Sequence, residues 1–137
     1  MTEFVLDNSV AMRWCFENTR NPYAEAVLQR LRGDNRAIVP LLWRYEVVSV
    51  LAKAQRAGIM APEKAAAFVD ALQALDIAID EEGTSRIMTE VHRLAVAYRL
   101  TGYDAAYLEL ALRRDLPLAT LDADLVRACM AAGGTIL

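Results

Sequence analysis

The chain has 137 residues, 55% of them hydrophobic, with 15 basic and 18 acidic side chains and a net charge of −3. This length suits a single compact domain over residues 1–137, with apolar content ample for a continuous core. The near-balance of charge counts against a large duplex-binding surface, which would need a basic excess. Cys15 and Cys129 lie far apart and outside any C-x-x-C spacing, so a disulfide framework and a zinc site are both poor readings, and each is expected as a buried free thiol. The opening Met-Thr-Glu leads directly into a short apolar run with no basic segment before it. Neither a signal peptide nor a membrane span is expected, and the chain is assigned to the cytoplasm.

In chain order, residues 4–6 form an apolar run too short for a helix and predict a buried strand. Asp7, Asn8 and Ser9 are helix-capping types, and residues 10–16 predict a helix. Asn21 and Pro22 start a second helix, with Val27, Leu28 and Leu31 on its apolar face and Gly33 as its stop. Residues 37–39 predict a strand closed by Pro40, and residues 41–57 a long helix ended by Gly58. Pro62 opens a further helix. Residues 77–79 alternate between Asp76 and Asp80 as a third strand, and Thr84 and Ser85 are expected to cap a helix running to about Arg99. Residues 103–114 predict a helix, 116–119 a strand, 122–132 a helix and 135–137 a last strand. Strands separated by helices pair in parallel, so the expected architecture is α/β, a three-layer α/β/α sandwich around a mostly parallel sheet.

Four acids fall where strands give way to helices or where a helix begins: Asp7, Glu46, Asp104 and Asp122. Taken singly, Asp7, Asp104 and Asp122 read as helix caps, each worth about 1 kcal/mol. Glu46 differs, because Leu42, Val47, Val50 and Leu51 surround it with apolar neighbours and a buried charge needs a partner. Taken together, strand ends of a parallel sheet gather at one edge, where these carboxylates would meet and repel unless a proton or cation intervenes. Oxygen ligands suit a hard divalent ion, Mg²⁺ or Mn²⁺, and so metal-assisted chemistry on phosphate. Asp124 is a further possible ligand, or simply an acid favoured near a helix N-terminus. Ser9 and Thr120 are hydroxyls able to steady a carboxylate, though local turn bonding explains them equally well.

Other chemistries lack their residues. His92 is the sole histidine, no glycine-rich phosphate loop occurs, and no G-x-S-x-G elbow is present. Arg13, Arg44 and Arg99, with Trp14, Trp43 or Tyr45 for stacking, are candidate contacts for a nucleic acid. For any one of them, a surface arginine or a core aromatic is the better reading.

The segment Val5-Leu6-Asp7-Asn8-Ser9-Val10, then Val39-Pro40 with Glu46-Val47-Val48-Ser49, then Tyr103-Asp104-Ala105-Ala106-Tyr107, then Thr120-Leu121-Asp122 with Leu125, resembles the PIN domain. More narrowly it is similar to the VapC-type toxins of toxin–antitoxin pairs. The resemblance spans essentially the whole chain and implies a PIN-like sandwich with endoribonuclease activity dependent on Mg²⁺ or Mn²⁺. Asp7, Glu46, Asp104 and Asp122 would be the catalytic metal-binding acids, Asp124 an optional ligand, and Ser9 and Thr120 their supports. It further implies an RNA substrate, single-stranded or looped, a small antitoxin partner, and a homodimer. Members often carry Asn where this chain has Ser49, one departure beside an intact set of acids.

Two rivals belong to other classes. A phosphoryl-transfer enzyme of the haloacid dehalogenase type also starts with Asp after a first strand, but needs a D-x-D that Ser9 breaks. A catalytically silent module of the same fold, binding an antitoxin-like partner, is the alternative function.

Overall fold

A computed structural model describes residues 2–137. The elements in order are β1 (Thr2–Leu6), α1 (Asn8–Ala11), α2 (Pro22–Arg32), β2 (Asn35–Pro40), α3 (Leu42–Arg56), α4 (Pro62–Gln73), β3 (Ile77–Asp80), α5 (His92–Tyr98), α6 (Gly102–Arg114), β4 (Leu118–Ala119) and α7 (Ala123–Ala131). All strand pairs are parallel, in the order β3-β2-β1-β4, as the alternation of strands and helices predicts. The expected last strand shrinks to one parallel bridge, Leu118 to Ile136, on the outer side of β4.

The central strands are apolar on both faces because helices cover both. Phe4, Val5 and Leu6 of β1 are buried, as are Ala37, Ile38 and Val39 of β2. Helix α6 is the most enclosed helix: Ala105, Tyr107, Leu108, Glu109, Leu110 and Ala111 are all buried, and it packs on β1, β2 and β4. Both cysteines are free and buried, as expected. Among the described residues, no helix is long and apolar enough to cross a membrane.

Two helices depart from expectation. The run over residues 10–16 is a single α-turn followed by a 3₁₀ turn at Met12–Trp14, where the Trp14 indole donates to the Ala24 carbonyl at 2.8 Å. The helix expected from Thr84 begins earlier and irregularly, as a 3₁₀ stretch at Glu82–Arg86 and a π turn at Ile87–Val91 ahead of α5. Its start is set by Asp80, whose Oδ2 accepts the Gly83 N–H at 2.9 Å. That approach requires glycine, since a Cβ at Gly83 would lie 2.8 Å from the same oxygen. Asp80 is itself clamped by Arg113 of α6 at 2.5 Å, and Arg113 also donates to Glu109 at 2.7 Å. These three side chains, nearly buried, pin the end of edge strand β3 to α6.

Candidate active site

The sheet order decides where a crevice forms. From β1 the chain winds outward through β2 to β3, then returns to lay β4 on the opposite flank of β1. Winding therefore reverses between β1 and β4, and at such a switch the loops leaving the carboxyl ends part. Asp7 follows β1, and Thr120, Leu121 and Asp122 follow β4. Because Leu6 is in register with Ala119, Asp7 and Thr120 emerge side by side, and the Asp7 N–H donates to the Ala119 carbonyl at 3.0 Å.

Asp7 occupies the N-cap position of α1, yet its side chain caps nothing. Instead its Oδ2 accepts from Ser9 Oγ at 2.6 Å and from Thr120 Oγ1 at 2.7 Å. Each hydroxyl in turn accepts a backbone N–H: Ser9 from Leu121 at 3.0 Å, Thr120 from Asp122 at 3.0 Å. With the acceptor side of each hydroxyl engaged, its single proton points to Asp7. Two donors converging on one oxygen favour a charged carboxylate and turn the other oxygen, Oδ1, elsewhere. Asp7 is thus a braced acid rather than a cap.

The other acids approach from helices. Asp122 does cap α7, accepting the Leu125 N–H at 3.0 Å, so the capping reading holds there. Asp104 is not the cap of α6: Thr101 is, its hydroxyl accepting the Asp104 N–H at 3.1 Å, which leaves the Asp104 carboxylate unengaged in the first turn. Glu46 of α3 accepts a hydrogen bond from the phenol of Tyr107 at 2.5 Å. Asp124 is exposed and paired with Arg127 at 2.7 Å, although its charge still acts on Asp104.

The titration behaviour ties these groups together. Asp104 is pushed up to about 6, first by burial, then by the charges of Asp122, Asp7 and Asp124. Burial also raises Glu46, with Asp7 and Asp104 adding repulsion while the Tyr107 hydrogen bond pulls it back. Asp7 is raised by burial, and the bonds from Ser9 and Thr120 offset part of this. Asp7 and Asp104 therefore lie within electrostatic reach of each other, of Glu46 and of Asp122 at one edge of the sheet. Among the described residues, however, no three metal-binding side chains are drawn close enough to clamp an ion as they lie. The carboxylates are neighbours that repel, an arrangement a divalent cation would relieve and tighten. An all-oxygen donor set of this kind fits Mg²⁺ or Mn²⁺.

Beside Glu46 opens a cleft of 400 Å³ lined by Asn8, Ser49, Tyr45 and Tyr103 among others. Tyr45 and Tyr103 are exposed on it, and the buried Asn8 Oδ1 has no hydrogen-bond partner among the described residues. Of the aromatics expected for stacking, only Tyr45 is on this rim. Trp43 is core, and Trp14 is engaged with Ala24. The Arg13 guanidinium reaches the Thr19 carbonyl at 3.4 Å, and Arg44 lines grooves with Ile77 and Ile79 instead of this cleft. Tyr107 and Tyr103 had no place among the acids singled out from sequence. Tyr107 was detectable only by its spacing, one helical turn after Asp104.

A family model described as PIN domain matches residues 4–130. The fold is similar to VapBC2 from Rickettsia felis bound to a DNA fragment from their promoter, at 11% identity and a TM-score of 0.72, covering 99% of this chain and 98% of that one. It is also similar to a toxin–antitoxin complex from Klebsiella pneumoniae, at 17% identity and a TM-score of 0.64, covering 98% and 96%. FitAcB from Neisseria gonorrhoeae gives 17% identity and a TM-score of 0.66 with the same coverage. No curated protein sequence matches the chain significantly.

Proposed function

Since the chain belongs to the PIN domain family, we propose that it is a divalent-cation-dependent endoribonuclease, the toxin of a toxin–antitoxin pair. The observation that carries this reading is the set of mutually repelling carboxylates at the switch between β1 and β4, one of them titrating near 6. Asp7, Glu46, Asp104 and Asp122 would hold Mg²⁺ or Mn²⁺, with Asp124 as a further oxygen donor at the rim. The cation, when bound, lowers the pKa of water and neutralises charge developing on the phosphate. Ser9 and Thr120 favour the charged form of Asp7 and fix its direction, so its position does not depend on side-chain search. Asp104, with no hydrogen bond engaging its carboxylate among the described residues, adjusts to the substrate and is charged above about pH 6.

RNA is the substrate class, preferably single-stranded, because exposed bases can lie against the open faces of Tyr45 and Tyr103 while the backbone meets the acids. The balanced charge agrees with a small footprint over a few nucleotides. An antitoxin as partner is supported by the neighbour named as a toxin–antitoxin complex. A homodimer is part of the same reading, as the resemblance to the VapC-type toxins implies, and residues 1–137 would act as one domain.

The test is incubation of the purified chain with a mixed single-stranded RNA in Mg²⁺. Cleavage is expected, is stopped by EDTA, returns with Mn²⁺, and is lost in Asp104→Asn. Cleavage that persists in EDTA would rule out the cation. Absence of cleavage in every metal would favour a silent partner-binding module.

A further inference from the structure

We propose that Tyr107 is a positioning residue for Glu46, setting the direction in which that carboxylate faces a cation. This rests on the cation reading above and adds a residue to it. Tyr107 is 0% exposed, deep in the most enclosed helix of the fold. A buried phenol needs a partner for its O–H, and any backbone carbonyl would serve. Here the partner is the Oε1 of a carboxylate 61 residues away, at 2.5 Å, the length of a charge-assisted bond.

The consequence concerns freedom of movement. A glutamate on a partly exposed helix face turns about three side-chain torsions, and Asp7 and Asp104 both repel its charge. Left alone, Glu46 would swing outward into the cleft. The Tyr107 O–H holds Oε1 and leaves Oε2 without a side-chain donor among the described residues. Among the described residues, no other side chain donates to Glu46. Tyr107 also lies one turn after Asp104 on α6, so a single helix presents Asp104 directly and fixes Glu46 through its phenol. The spacing between these acids is then a property of α6 and its packing rather than of flexible side chains.

The experiment measures Mn²⁺ affinity by the loss of free-ion EPR signal, in the wild-type chain, Tyr107→Phe, Glu46→Gln and the double variant. Tyr107→Phe keeps the ring and removes one oxygen. It is expected to bind Mn²⁺ about tenfold to a hundredfold more weakly, the range for a residue supporting a metal ligand. In the Glu46→Gln background it should add nothing further, because the phenol acts through that carboxylate. Unchanged affinity in Tyr107→Phe, or an equal loss in both backgrounds, would overturn the proposal while leaving the cation reading in place. Absence of Mn²⁺ binding by the wild-type chain would overturn both. A second readout needs no variant of Tyr107. In the metal-free wild-type chain its hydroxyl proton should give a slowly exchanging, downfield NMR resonance that disappears in Glu46→Ala. Persistence of that resonance would contradict the contact.

Discussion

Thr120 does two things with one hydroxyl: it accepts the Asp122 N–H within its own turn and donates to Asp7, which ties the ends of β1 and β4. Thr120→Val keeps the shape and removes all of this. It should cost about 1–3 kcal/mol of stability, the usual range for leaving a buried polar group unpaired, measurable by urea denaturation. Cleavage should fall roughly tenfold to a hundredfold, since Asp7 loses a brace. Asp104 gives a pH signature of opposite sense to an ordinary paired carboxylate. Its pKa is raised from 3.8 to about 6 in the folded chain, so folding favours its protonated form. The penalty for its charge is absent below pH 3.8, grows as pH rises, and is complete above about 6. The metal-free Asp104→Asn variant should therefore have a higher thermal midpoint than the wild type at pH 7, with the difference vanishing near pH 4. A difference independent of pH would mean that the carboxylate is not held against its neighbours.

At the scale of elements, the junction of β3 and α6 shows what was legible in the sequence and what was not. Strands β1 and β2 were readable because their residues are apolar on both faces, which follows directly from burial between helix layers. The start of the helix after β3 was not readable at Thr84 and Ser85, good capping types that cap nothing here. A side chain earlier in the chain, Asp80, takes that role because Arg113 holds it in place from α6. The local signal was overruled by a contact 33 residues away. Arg113→Met should accordingly destabilise the fold by about 3–5 kcal/mol, because it leaves Asp80 buried without its cation and Glu109 with only Arg86 at 3.8 Å. Chemical denaturation would detect this, and a change under 1 kcal/mol would show that the cluster relaxes into solvent.

At the scale of the whole molecule, the acids were legible because strand ends in a parallel sheet must gather at one edge. Asp7 and Asp122 are brought to the switch point by topology, and Thr120 by register with Leu6. The direction each carboxylate faces was not legible. Ser9 and Thr120, readable beside their acids, brace Asp7 locally and across adjacent strand ends, but nothing along the chain encodes a phenol reaching from α6 to Glu46 on α3. The same topology keeps Trp43 in the core and leaves Tyr45, two positions later on α3, exposed at the cleft. Helical geometry separates these neighbours, so composition alone does not identify the stacking face.

The central claim is that this edge of the sheet cuts RNA. The most direct measurement maps new RNA 5′ ends after brief expression of the chain without any partner, with Asp7→Asn expressed in parallel. Discrete new ends in the wild-type culture alone are predicted, and they would give the target sequence as well. The same ends in both cultures, or none in either while the purified protein also fails to cleave RNA, would contradict the account.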